Sequence, residues 1–184
     1  NEEYYRFTRK SGYKPEDTTN YLRHWINGKY PEGKEKYPVV NIGLKDARAY
    51  AKWAGKRLPT EIEWQYAAQG GNPEYKWPWG RAFDSTACNN ALGQPTAVDA
   101  FPAGAGPFGI MDMTGNVWQM TNDVYDNGSY YFNTLKGGSY YKPTASWWYV
   151  QGGPRPVNES QMLLLVSPSF NRNATVGFRC VKDL

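Results

Sequence analysis

Soft metal ligands are nearly absent from this chain. Its 184 residues include two cysteines, Cys88 and Cys180, and one histidine, His24. Zinc and iron centres of the usual kind need three or four imidazole or thiolate donors converging on one point, so neither is expected. Two cysteines permit at most one disulfide, Cys88 with Cys180, and leave the redox compartment open. Also missing is any apolar run near the roughly 18 residues that a membrane helix requires. The longest, Met162 to Val166, has the length of a buried strand or loop. Net charge is only +4, which does not indicate a nucleic-acid surface. No internal repeat and no low-complexity tract interrupts the chain.

What is plentiful is aromatic and turn-forming. The chain has 8 Trp, 15 Tyr, 19 Gly and 13 Pro, spread along its length. This composition predicts many turns, short elements and large flat side chains filling a loop-rich core. The length suits one domain, residues 1–184, able to bury a sizeable core. Residue 1 is Asn, and the first residues already read as a helix. The expectation is that native N-terminal strands and any targeting segment lie upstream.

Helices are predicted in three places. Asn1 followed by Glu2 and Glu3 suits a helix start, running to Lys10 with a stop at Gly12. Leu44, Ala47, Ala51 and Ala54 recur at spacings of three and four, with Gly55 as the stop. Thr60-Glu61-Ile62-Glu63 is a capping box, in which the Thr hydroxyl accepts from the Glu63 amide and the Glu63 carboxylate accepts from the Thr60 amide. That helix runs to Gln69, before Gly70-Gly71. Between the first two, Thr18 to Tyr37 reads as a long polar and aromatic loop, with His24 beside Trp25. Short strands are expected at Ala97–Phe101, Val117–Thr121, Leu135–Ser139, Leu163–Ser167 and Val176–Val181. Thr121-Asn122-Asp123 reads as a hydrogen-bonded turn, Trp77-Pro78-Trp79-Gly80 as a rigid turn anchoring the core, and Arg179 as the buried partner of a carboxylate or carbonyl. Glycosylation sequons stand at Asn127, Asn158 and Asn173.

Several motifs follow one another in a telling order. They are Pro38-Val39-Val40-Asn41-Ile42, Ala47-x-x-Tyr50-x-x-Trp53, Lys56-Arg57-Leu58-Pro59-Thr60-Glu61-x-Glu63-Trp64-x-Tyr66-Ala67-Ala68, and Trp77-Pro78-Trp79-Gly80. Then come Phe108-Gly109-Ile110-Met111-Asp112-Met113-x-Gly115-Asn116-Val117-Trp118, Lys136-Gly137-Gly138-Ser139 and Gly177-Phe178-Arg179-Cys180. The ordered set, covering nearly the whole chain, resembles the formylglycine-generating enzyme family, also called the sulfatase-modifying factor domain. The resemblance implies an irregular, loop-rich α+β domain related to the C-type lectin fold, with few helices and short antiparallel strands.

The same resemblance implies what is not here. Catalytic members oxidise a substrate cysteine with copper held by two cysteines that follow the Gly-Gly-Ser-Tyr motif. Those positions hold Lys142 and Trp147, and no cysteine lies between Cys88 and Cys180. Neither Lys nor Trp can give Cu(I) soft sulfur, so no copper is expected. One histidine likewise cannot build the three-histidine iron site of the related sulfoxide synthases. In the family Cys180 is a structural cysteine whose partner position holds Ala68 here. The expectation is a buried thiol, or pairing with Cys88. Ca²⁺ is expected at the family's site, carried over onto the Asp112 side chain, the Gly115 and Val117 carbonyls, and Gln119, where Glu is common. Asn90 marks a second family calcium site.

The functional expectation is a non-catalytic member that binds a protein or carbohydrate. Its ligand cleft would run along Ser139, Tyr140, Lys142, Trp147 and Trp148, with Gln151 to Gln161 as a covering loop. The resemblance places such a domain in a secreted or surface-associated, extracytoplasmic bacterial protein. The alternative is an enzyme of the same superfamily working with other residues of that cleft, with Lys142, Asp123 and Tyr140 as the groups to consider.

Overall fold

The computed structural model describes residues 1–141, 152–167 and 171–183. Helices α1 (Glu2–Lys10), α2 (Leu44–Trp53) and α3 (Glu61–Gln69) come first, and a 3-10 turn spans Pro102–Gly104. Strands β1 (Trp118–Asp126), β2 (Tyr131–Lys136), β3 (Ser160–Leu164) and β4 (Val176–Phe178) follow. The strands form one sheet in the order β3-β2-β1-β4. β1–β2 and β2–β3 are antiparallel, as expected, but β4 runs parallel to β1.

Local chemistry sets the helix ends. The Gly43 N–H donates to the Asp46 carboxylate at 2.7 Å, which holds an acid in the first turn of α2. The capping box of α3 forms as expected, with Glu63 N–H donating to Thr60 Oγ1 at 3.2 Å and Thr60 N–H to Glu63 Oε2 at 2.8 Å. Gly70 ends α3 in the left-handed conformation.

Aromatic packing joins these helices to the sheet. Tyr4 of α1 stacks on Tyr50 of α2 at 5.5 Å, and Phe7 and Phe178 meet Tyr50 edge-on at 5.6 and 5.4 Å. Met120 and Leu135 close the same cluster from the sheet. Burying each such side chain contributes roughly 1.5–3 kcal/mol. A smaller cluster of Trp64, Ala68, Met113 and Val157 seats α3. One buried ion pair ties distant segments: Arg172 donates to Asp46 at 2.9 and 3.2 Å and to the Thr19 carbonyl at 3.0 Å, and it also bonds the Asp17 carbonyl.

Several expectations need correction. Ala97–Phe101 is not a strand; its Val98 N–H reaches only the Lys36 carbonyl before the chain turns into the 3-10 element. Thr121-Asn122-Asp123 lies inside β1, where the register shifts between Met120 and Val124, so it is an irregularity of a strand and not a separate turn. Strand β3 is alternately exposed and half-buried, because it is the sheet's edge, so Met162 to Val166 is not a buried run. In Trp77-Pro78-Trp79-Gly80 only Pro78 is buried. The two indoles lie parallel with centroids 6.0 Å apart, half-exposed beside Phe83. Of the two readings of Cys180, the thiol stands and the disulfide with Cys88 does not form, although the residue is half-buried where a buried one was expected.

His24 is half-buried and accepts at Nδ1 from the Asn41 amide at 3.1 Å. Among the described residues, the charged groups lining the two cavities beside it are Arg23, Arg172, Lys34 and the α-amino group of Asn1, with no carboxylate. Burial lowers its pKa from 6.5 to about 4. The fold therefore favours the neutral ring. That stabilisation is fully present above the unfolded value and is lost as pH falls toward the folded one. Between about pH 7 and about pH 5 the melting temperature should fall less steeply in His24→Gln than in the parent. Equal slopes by calorimetry would refute this.

Candidate functional site

The turn that runs from Met111 into β1 is fixed by both its backbone conformation and its side chains. Asp112 and Asn116 both adopt left-handed backbone, with φ of 57° and 59°. At Gly115, φ is 77° and an added Cβ would lie 2.5 Å from the Asn89 carbonyl oxygen, so only glycine fits. Asn116 pins the turn. Its Oδ1 accepts from Thr96 N–H at 3.0 Å, and its Nδ2 donates to the Thr96 carbonyl and to Asp112 Oδ1, each at 3.3 Å. Burial pushes the Asp112 carboxyl up to about 6, against the opposing pull of Arg179 and Asn116.

Gln119 sits where this turn enters the sheet. Its side-chain oxygen accepts from Trp64 Nε1–H at 2.8 Å and from Arg179 Nε–H at 2.6 Å. Its amide nitrogen donates to the main-chain carbonyl of Asp112. Arg179 also donates to the Met111 carbonyl at 2.9 Å. Its partners are therefore an amide oxygen and a carbonyl, one of the two kinds expected. Burial lowers the guanidinium pKa to about 10.

The residues expected to form the calcium sites are thus only partly assembled for that role. Asp112, Gly115 and Val117 lie on one turn. Gln119 points its oxygen away, toward two N–H donors, and offers the turn an N–H₂ group. Asn90 Nδ2 closes its own loop through the carbonyls of Ser85 at 2.6 Å and Cys88 at 3.3 Å.

The residues expected to line the cleft are also rearranged. Ser139 is buried and its Oγ accepts from Tyr141 N–H at 3.3 Å. Tyr140 is buried against Val40 and Val117, and its hydroxyl donates to the Ala174 carbonyl at 3.3 Å. Both belong to a packed seam, so neither forms an open wall. Lys142, Trp147 and Trp148 lie outside the described residues. The described part of the expected covering loop is an anchored strap. Ser139 N–H donates to the Gly153 carbonyl at 3.1 Å, Arg155 N–H donates to the Gly137 carbonyl at 3.1 Å, and Val157 is fully buried in the α3 cluster. Asp123 accepts from the Glu61 N–H and so caps α3.

Two clusters escaped the sequence reading. Lys136 is 0% exposed at the end of β2, with Nζ 3.1 Å from Ser160 Oγ and 3.5 Å from Glu61 Oε1. Burial lowers its pKa. The other is the Asp46–Arg172 pair. In each, the partners stand far apart in the chain, so no local signal pointed to them. A groove of about 720 Å³ lies between the start of α2 and the sheet, with Tyr13, Lys14, Arg48, Val124, Tyr131 and Leu165 among its walls.

Residues 1–184, the whole chain, match the Sulfatase-modifying factor enzyme 1-like domain. The chain belongs to that family. Its fold is the formylglycine-generating-enzyme and C-type-lectin-like one that the motif order implied. It is similar to the inactive C-alpha-formylglycine-generating enzyme 2 of Bos taurus, at 39% identity over 58% of this chain and 40% of that protein. It is also similar to the serine/threonine-protein kinase pkn1 of Chlamydia caviae, at 33% identity over 83% of this chain and 25% of the kinase. The solved structure of CarF superposes with a TM-score of 0.64 at 20% identity, covering 85% of this chain and 72% of CarF. The sulfatase-modifying factor domain here thus spans well under half the length of these two curated relatives.

Proposed function

We propose that this sulfatase-modifying factor domain is non-catalytic and serves recognition, binding a protein or carbohydrate ligand. The observation that carries the reading is the cysteine placement. Lys142 and Trp147 stand where catalytic relatives carry their copper ligands, and the only cysteines are Cys88 and Cys180. Cys180 is half-buried against the main aromatic core, where burial pushes its thiol up to about 11. A thiol so protonated is a poor ligand for copper. The inactive relative from Bos taurus supports the reading, and the kinase relative supports use of the domain as one module of a longer protein.

The groove beside α2 is the surface we assign to the ligand, since it combines apolar walls (Val124, Leu165), a half-buried aromatic (Tyr13), an exposed one (Tyr131) and cations (Lys14, Arg48). We propose an extracytoplasmic bacterial setting on the family resemblance described above. Fractionation of cells expressing the full-length gene tests that placement. For the activity, a Cys-x-Pro-x-Arg peptide incubated with the domain, copper, oxygen and a thiol reductant should remain unoxidised by mass spectrometry. Formylglycine in that peptide would overturn the reading. In a glycan and peptide array, Tyr131→Ala should weaken whatever binding the parent shows by about tenfold, the loss of roughly one good aromatic contact. Undiminished binding would remove the groove from the proposal.

Of the three groups of the enzyme alternative, Asp123 caps α3 and Tyr140 is buried, which disfavours both as reacting groups; Lys142 lies outside the described residues.

A further inference from the structure

The geometry points to a turn held together by Gln119 and Arg179 in place of Ca²⁺, so that this domain is stable without calcium. A calcium ion bound by Asp112, Gly115, Val117 and the residue at 119 would need an oxygen from each. Three of these positions can still supply one. The fourth cannot, and its orientation is chemically fixed. Trp64 Nε1–H and Arg179 Nε–H are donors only, and both meet the same side-chain atom of Gln119, at 2.8 and 2.6 Å. That atom must be the oxygen. Turning the amide over would set N–H against N–H twice. The other side-chain atom of Gln119 is therefore the nitrogen, which already donates to the Asp112 main-chain carbonyl. Where a carboxylate would offer a second oxygen to a cation, the amide offers two hydrogens. It thereby makes for itself the link between the turn and β1 that an ion would make.

Charge works in the same direction. Arg179 reaches past Gln119 to the Met111 carbonyl at 2.9 Å, which places a guanidinium beside the residue that carries Asp112's neighbouring carbonyl. A divalent ion at the Asp112 turn would face this cation with one carboxylate among its ligands, Asp112, because Asp99, the nearby acid, is already paired with Lys36. Ca²⁺ sites gain affinity with the number of charged ligands, and here that number has fallen by one while a positive charge stays in place. The inference does not depend on what the domain binds, because it concerns only how the turn before β1 is held.

The test is a calcium titration of the intact domain, read by its melting temperature and by tryptophan-sensitised terbium emission, with Trp64 as the nearby donor. The melting temperature should be the same in EDTA and in millimolar calcium, and terbium should give no sensitised signal that calcium competes away. A calcium-dependent rise of roughly 5 °C or more, abolished in Asp112→Asn, would overturn the proposal. The second arm is Gln119→Glu. The new carboxylate keeps one oxygen for Trp64 and Arg179 and frees the other, so this variant should gain calcium-competed terbium emission and a calcium-dependent rise in melting temperature. If the folded variant, checked by circular dichroism, ignores calcium as the parent does, the amide at 119 is not what excludes the ion and the assignment fails. Should the variant not fold, the parent's titration decides alone.

Discussion

Asp46→Ala should cost about 3–5 kcal/mol of folding stability, the range expected when one partner of a buried ion pair is removed. Asp46 is 1% exposed and Arg172 is 6% exposed. The carboxylate accepts from Arg172 at 2.9 and 3.2 Å, from the Tyr13 hydroxyl at 2.7 Å and from the Gly43 N–H at 2.7 Å. Alanine leaves a guanidinium inside the protein with the Asp17 and Thr19 carbonyls and the face of the Tyr21 ring as its remaining partners among the described residues. It also strips the start of α2 of its acid and leaves the Tyr13 hydroxyl without its acceptor. Against a total of roughly 5–15 kcal/mol for a domain, this is a large fraction. The melting temperature should drop by roughly 6–20 °C, at about 2–4 °C per kcal/mol for a chain of this size. Urea unfolding of Asp46→Ala, Arg172→Met and the double variant measures the coupling. The double variant should be less destabilised than the sum of the singles, because most of the cost of each comes from stranding the other. A loss below about 1 kcal/mol for Asp46→Ala would show that water reaches the pair and the burial is not effective.

That pair also shows where sequence reasoning stopped. The helices were legible because their signals are local. The Leu44, Ala47 and Ala51 spacing and the Thr60–Glu63 box lie within a few turns of chain, and α2 and α3 formed within a residue or two of the expected bounds. The strands were legible only as apolar runs. Their register comes from pairing across the sheet, and nothing near Val176 announced that β4 would lie parallel to β1. The hairpin joining β1 and β2 did carry a local signal, Asn127-Gly128, the strongest short hairpin dipeptide, and it passed unused. At the site, the turn residues were found by motif order, but the direction of Gln119's amide was not. It is dictated by Trp64 and Arg179, which lie 55 and 60 residues away in the chain. A Gln in place of Glu suggested weaker calcium binding; only the two donors around it show that its oxygen is already engaged. Burial of Ser139 and Tyr140 was invisible for a similar reason. It depends on the strap from Gly153 to Val157, whose contacts with Gly137 and Ser139 are formed only in three dimensions.

Gly138→Ala is expected to be the most damaging single-methyl change in the described chain near the site, at about 3 kcal/mol or more. Two costs combine. The backbone at Gly138 has φ of 79°, a conformation that costs an alanine roughly 1–2 kcal/mol. An added Cβ would also lie 2.2 Å from the Gly153 carbonyl oxygen, 2.7 Å from Arg155 N and 2.8 Å from Pro154 C. All three are main-chain atoms and cannot rotate away. Relief therefore requires the strap itself to move, which breaks the Ser139–Gly153 and Arg155–Gly137 hydrogen bonds at 3.1 Å each and pulls on Val157, the strap's buried residue in the α3 cluster. Gly12→Ala separates the two costs. Its φ is 69°, yet no atom lies within 4 Å of its added Cβ, so it should lose only the conformational share, about 1–2 kcal/mol. The difference between the two variants in urea unfolding is then the cost of displacing the strap. If Gly138→Ala costs no more than Gly12→Ala, the strap yields freely and the seam that buries Ser139 and Tyr140 is not a fixed part of the fold. A difference of about 1 kcal/mol or more would instead mean that the seam is rigid, and that any ligand must be met by surfaces outside it.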